Sequence, residues 1–176
     1  MDYLDDVGEL AHELASVGLP PVLVGGMALV ILGSRRVTRD FDFVIPRPGE
    51  RLTTLIDLLY DRGLELVSRV DRDGNARSSI STRRVAAARL KLDAPSSAHF
   101  VNPGTGLRVD LLFDYPLPAE ELALGAARVK VRTHVLRIAS DRDLLRLKRI
   151  ARSERASPGD AEDIAFLEAR LKRVRQ

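Results

Sequence analysis

Hydrophobic side chains recur every three or four residues at Leu4, Val7, Leu10, Leu14 and Val17, with acids between them. That spacing predicts an amphipathic helix over 2–17, stopped by Gly18 and Pro20-Pro21. Val22-Leu23-Val24 is a short continuous apolar run ending at Gly25-Gly26, and Met27 to Leu32 continues to Gly33; this reads as a buried strand, a tight turn and a short helix. Polar and apolar residues then alternate through Asp40-Phe41-Asp42-Phe43-Val44-Ile45, the pattern of a strand with one buried face. A second amphipathic helix is expected over 49–62, through Leu52, Leu55, Ile56 and Leu59, followed by a strand from Glu65 to Val70.

Beyond Val70 the pattern weakens. Asp71 to Ser79 reads as a polar loop, and Val85 to Leu92 as a helix or a strand, with length and alanine content on the side of helix. Ala98 to Val101 and Leu107 to Phe113 flank Asn102-Pro103-Gly104-Thr105-Gly106, a hairpin signal with two glycines. A short helix is expected over 118–127 and a single strand, imperfectly alternating, from Arg128 to Ala139. Ser140 caps a helix with apolar positions Leu144, Leu147, Ile150 and Ala151; Ser157-Pro158-Gly159 breaks it, and a last helix runs over 161–174.

A chain of 176 residues, 45% hydrophobic and 30% charged, has room for one domain with a sizeable core. Without cysteine, disulfides, thiolate metal sites and cysteine nucleophiles are excluded. No apolar run is long enough to cross a bilayer and the opening residues are acidic, so a cytoplasmic protein without membrane association is expected. The net charge of +3 is unevenly spread. Residues 1–20 carry five acids and no Lys or Arg, whereas 69–91 carry Arg69, Arg72, Arg77, Arg83, Arg84, Arg89 and Lys91 against Asp71 and Asp73. A basic middle segment suits a polyanion such as nucleic acid, and equally a solvated face.

Three features carry candidate chemistry. Glycines at 25 and 26, between strand and helix, let backbone approach a ligand closely, and the exposed N–H groups there favour phosphate. Asp40 and Asp42, at i and i+2 on a strand, share a face with Cα atoms about 6.5–7 Å apart. Such a pair can hold a hard divalent cation, usually Mg²⁺ where phosphate oxygens complete the shell. Asp110 interrupts the apolar run Val109 to Phe113, where a carboxylate needs a metal or a cationic partner such as Arg108 to offset its desolvation. Lys148 lies at the edge of the inward stripe of its helix, placed either to reach a triphosphate or site acid or to snorkel. Asp160 and Asp163, one turn apart at a helix start, fit capping and the helix dipole. Arg36 and Thr38 are close enough to the Asp pair to contact phosphate or brace the loop. His12, His99 and His134 show no metal-ligand spacing.

Together Val24-Gly25-Gly26, Asp40-Phe41-Asp42 and Asp110 resemble the nucleotidyltransferase superfamily with the DNA polymerase β-like fold. More narrowly, Gly25-Gly26-Met27-Ala28, Gly33, Arg36, Thr38 and Asp40-Phe41-Asp42 are similar to AbiEii-type abortive-infection toxins, and Lys148 with Asp160 and Asp163 to that group's helical tail. The resemblance implies an α+β fold, a mixed β-sheet flanked by helices, with a core over 1–139 and a C-terminal helical extension over 140–176 packed on it. It implies transfer of a nucleoside monophosphate from an NTP to an acceptor hydroxyl. Asp40, Asp42 and Asp110 would be catalytic and would hold Mg²⁺ in a two-metal site. Gly25, Gly26, Arg36, Thr38 and Lys148 would bind the nucleotide. The acceptor it points to is tRNA or another RNA, with a toxin role and a cognate antitoxin as partner. An antibiotic nucleotidyltransferase, favoured by an acidic substrate cleft, and a non-catalytic nucleotide- or partner-binding module are the alternatives.

Overall fold

The computed structural model describes residues 3–71, 76–154 and 159–173. Its first helix, α1 (Tyr3–Ser16), buries Val7, Leu10, Ala11 and Leu14, the stripe expected from the spacing. Strand β1 (Val22–Val24) leads directly into α2 (Gly25–Ile31), and β2 (Asp40–Ile45) returns antiparallel to β1. A short 3-10 turn at Gly49–Arg51 opens α3 (Leu52–Asp61), and β3 (Glu65–Val70) follows.

Residues 76–80 depart from the expected loop. They form β4 (Ala76–Ile80), an edge strand paired with β3 through a register irregularity. Arg77, Ser78 and Ser79 hide it from a hydrophobicity reading, because an edge strand with one neighbour has little apolar surface to bury. The Tyr60 hydroxyl of α3 donates to the Ile80 carbonyl and accepts from the Leu66 N–H, tying helix to hairpin; burial pushes its phenol up from the ordinary value. Residues 83–93 are the helix α4 (Arg83–Asp93). Arg72 and Asp73 lie outside the described residues, as do Ser157-Pro158 and Val174.

The Asn102–Gly106 turn joins β5 (Ser97–Val101) to β6 (Arg108–Phe113) as an antiparallel hairpin. After α5 (Ala119–Gly125), the single strand expected over 128–139 is in fact two, β7 (Ala127–Val131) and β8 (His134–Ile138). The turn between them contains no glycine, asparagine or proline to announce it; Arg132 takes the left-handed conformation there, at φ 54°. α6 (Asp141–Glu154) starts at Ser140, whose Oγ accepts from the Asp143 N–H at 3.2 Å and donates to the Asp143 carboxylate at 2.6 Å. α7 (Asp160–Arg173) completes the described chain.

The eight strands form one mixed sheet in the order β4-β3-β5-β6-β2-β1-β8-β7. Phe41 and Phe43 of β2, Val109 and Leu111 of β6, and Ala98 and Phe100 of β5 alternate into the core. Leu10, Leu14, Leu55, Ile56, Leu59, Ala86 and Leu90 of α1, α3 and α4 join the same cluster, as do Leu144, Leu145 and Leu167 of α6 and α7. Arg170 of α7 fastens the two C-terminal helices to the rest, donating to the Leu32 carbonyl at 3.0 Å and pairing with Asp141 at 3.0 Å. On the other side Arg62 clamps α1, holding Glu13 at 2.7 Å; that hydrogen bond keeps the Glu13 carboxyl below its usual range.

The basic middle segment is less cationic than its composition. Arg77 pairs with Asp71 at 3.3 Å, Arg83 with Asp57 and Asp61 at 3.3 and 2.8 Å, and Arg89 with Asp93 at 3.4 Å. Arg69, Arg84 and Lys91 are exposed.

Candidate active site

The central pairing of the sheet brings the three acids together. β2 and β6 run parallel, with Asp40 opposite Arg108 and Asp42 opposite Asp110. Because side chains alternate along a strand and register partners share a face, Asp40, Asp42, Arg108 and Asp110 stand on the face away from Phe41, Phe43, Val109 and Leu111. Asp42 and Asp110 are one strand spacing apart, about 4.8 Å between backbones. All three acids are part-exposed, Asp40 at 43% and Asp110 at 25% of the side chain.

The glycine turn is built around this group. Val24 pairs with Asp42, and Gly25 follows at φ +67°, a conformation costly for a side chain bearing Cβ. A Cβ on Gly25 would lie 1.9 Å from Asp42 Oδ2, so the missing side chain is the space the carboxylate fills. A Cβ on Gly26 would lie 3.0 Å from Arg36 Nε and 3.2 Å from a Thr38 methyl. Of the two roles open to Arg36 and Thr38, bracing the loop is the one visible in their contacts.

Two expected partners change. Arg108 reaches Asp40 at 3.6 Å, and Asp110 has an imidazole neighbour, His99 of β5, with Nδ1 2.9 Å from Asp110 Oδ1. Sequence reasoning missed His99. The signal was available only through pairing, since His99 faces Asp110 in the β5–β6 register.

Lys148 pairs with the acids of α7, and it does not snorkel. Its side chain is 14% exposed and binds Asp163 at 2.7 Å and Asp160 at 3.4 Å, while Arg36 pairs with the same Asp163 oxygen, Oδ2. Asp160 and Asp163 are therefore more than capping residues: both are buried and they join α6 and α7 to the loop behind the glycine turn. Asp160 Oδ2 is enclosed without a hydrogen-bond partner. Removing one member of a buried ion pair strands its partners. Asp163→Asn is expected to destabilise the fold by about 3–4 kcal/mol, toward the low end for buried pairs because Lys148 keeps Asp160. A fall in melting temperature of roughly 6–16 °C follows for a chain of this size, and an unchanged midpoint would show that the cluster does not hold the fold.

The architecture has known counterparts. No protein-family model matches the sequence, and no curated protein sequence does. Among solved structures, an antigenic nucleotidyltransferase-like protein from Paracoccidioides brasiliensis matches with TM-score 0.60 over 93% of this chain and 74% of its own, at 18% identity. A lincosamide antibiotic adenylyltransferase with lincomycin bound matches with TM-score 0.58 over 93% and 95%, at 13% identity. ANT(2″)-Ia in complex with adenylyl-2″-tobramycin matches with TM-score 0.60 over 96% and 88%, at 14% identity. The chain has the nucleotidyltransferase fold. In that fold the acids and the glycine turn occupy one end of the central strands, with α2 on one side and the α6–α7 ion cluster behind the turn.

The fit of a metal can be judged on the donors. Among the described residues no three His, Asp or Glu side chains converge closely enough to share one ion. Asp40, Asp42 and Asp110 are nevertheless hard oxygen donors on one part-exposed face, in adjacent register. That donor chemistry fits Mg²⁺.

Proposed function

We propose that this chain is a Mg²⁺-dependent nucleotidyltransferase that moves a nucleoside monophosphate from an NTP to an acceptor hydroxyl. The observation that supports this most directly is the register placing Asp42 beside Asp110, with Asp40 on the same face and Gly25 packed against Asp42. Asp40, Asp42 and Asp110 are the residues that would hold the metal, which when bound supplies charge stabilisation for the phosphoryl oxygens.

Gly25 and Gly26 bring backbone, without side chains, to the β- and γ-phosphates. Arg36 and Thr38 hold that turn against the acids. Lys148 and Arg36 are matched by Asp160 and Asp163, and their part is to hold the turn in place from behind. Asp110 orients the acceptor hydroxyl and draws off its proton as the oxygen attacks the α-phosphorus in line. The new P–O bond forms on one side as the bond to pyrophosphate breaks on the other, and pyrophosphate carries the displaced electrons away.

For the acceptor we favour RNA, tRNA among the candidates. Arg108 and His99 flank the acids, so basic side chains stand beside them where polyamine antibiotics call for an acidic cleft. A toxin role with an antitoxin partner rests on the motif resemblance. Incubating the purified protein with Mg²⁺, each α-³²P-labelled NTP in turn and total tRNA tests the reading, with Asp40→Ala/Asp42→Ala as control. Label on tRNA, absent in the control, is expected. Label that instead appears on a small-molecule acceptor would move the acceptor assignment to antibiotic modification, and NTP binding without any transfer would make the chain a binding module.

A further inference from the structure

Asp110 is flanked on both sides across the sheet. Asp42 faces it from β2, and His99 faces it from β5. The imidazole Nδ1 lies 2.9 Å from Oδ1 of the carboxylate, on a side chain that is 55% exposed. A carboxylate on a short side chain turns easily about its last torsion, which is broad and two-fold. Asp42, a like charge in the adjacent register, cannot donate a hydrogen bond to it. The contact from His99 distinguishes the two oxygens, since it engages Oδ1.

We propose that His99 is the positioning residue for Asp110: its Nδ1–H holds Oδ1, so that the carboxylate presents one defined oxygen to the acceptor hydroxyl. This rests on the reading of the three acids as a nucleotidyl-transfer site. Neutral imidazole has one N–H and one bare nitrogen, and the nitrogen that faces a carboxylate is the one that carries the hydrogen. The contact thus selects the Nδ1–H tautomer. Asparagine at 99 places an amide N–H near the same position and can replace the contact, whereas alanine cannot.

Two measurements on the full chain test it. The first is a long-range ¹H–¹⁵N correlation spectrum of the imidazole at mildly alkaline pH. His99 is expected as the Nδ1–H tautomer in the wild type and to lose that preference in Asp110→Ala. The second is steady-state transfer kinetics. His99→Ala is expected to lower kcat about 10- to 100-fold, the usual cost of losing a group that orients a site ligand. KM for the NTP is expected to stay within about two-fold, and His99→Asn to recover most of kcat, since uniform binding is untouched when only the reacting carboxylate is misaligned. A His99 tautomer indifferent to Asp110→Ala overturns the proposal, and so does an unchanged kcat in His99→Ala. Failure of the wild-type chain to transfer any nucleotide, with the tautomer result intact, would instead overturn the functional reading and leave the His99–Asp110 contact standing.

Discussion

Asp42→Asn is expected to lower nucleotidyl transfer about 10³-fold and to leave the chain folded. The variant keeps the size and shape of the side chain, and the backbone pairing of Asp42 with Val24 and Asp110 is indifferent to the carboxylate's charge. What disappears is one anionic oxygen donor from the centre of the acid row. Charge stabilisation of phosphoryl oxygens is worth several kcal/mol in a transition state, and about 4 kcal/mol corresponds to that 10³-fold loss. Folding should be preserved, because the buried neighbours and the strand pairing are kept. Transfer assayed with labelled NTP, beside a thermal melt, decides it. Full activity in a folded Asp42→Asn protein would remove Asp42 from the chemistry, whereas a variant that fails to fold would show that the carboxylate is structural.

Gly25→Ala carries the second large effect, and it strikes stability and chemistry together. Position 25 has φ +67°, where a residue with Cβ pays about 1–2 kcal/mol. The added Cβ would also stand 1.9 Å from Asp42 Oδ2 and 2.6 Å from its Cγ, so the carboxylate must move, and overpacking of this kind adds about 1–3 kcal/mol. A loss of roughly 2–5 kcal/mol and a melting temperature lower by about 4–20 °C are expected. Transfer should fall at least as far as in Asp42→Asn, since the same carboxylate is displaced. Gly33→Ala is the informative comparison. Its φ of +98° imposes the backbone strain, but nothing lies within 4 Å of the added Cβ. It should lose stability by the backbone cost alone and keep its activity. Equal losses of transfer in the two variants would mean that the fit between Gly25 and Asp42 has no catalytic meaning.

Much of this site is written in local pattern, and some is not. The alternation through Asp40-Phe41-Asp42-Phe43 was enough to place both acids on one side of a strand, because burial of the two phenylalanines forces the intervening residues outward. The glycine pair after a three-residue apolar strand likewise announced a turn without side chains. The polar strand β4 and the turn at Arg132 were illegible for complementary reasons: an edge strand needs few apolar residues, and a left-handed arginine has no turn-forming signature.

Periodicity, turn chemistry and composition determined most of the elements and which residues of β2 face away from the core, since those properties depend on neighbours a few positions along the chain. Tertiary structure alone decided the partners. The parallel register of β2 and β6 set Asp42 beside Asp110; the antiparallel register of β5 and β6 gave Asp110 to His99 and left Arg108 to Asp40. Packing of α6 and α7 behind the glycine turn gave Lys148 and Arg36 to Asp163. No local period encodes which strand lies next to which, or at what offset. That choice belongs to the burial of the whole sheet at once, because a shift of one residue turns every side chain of a strand to the opposite face.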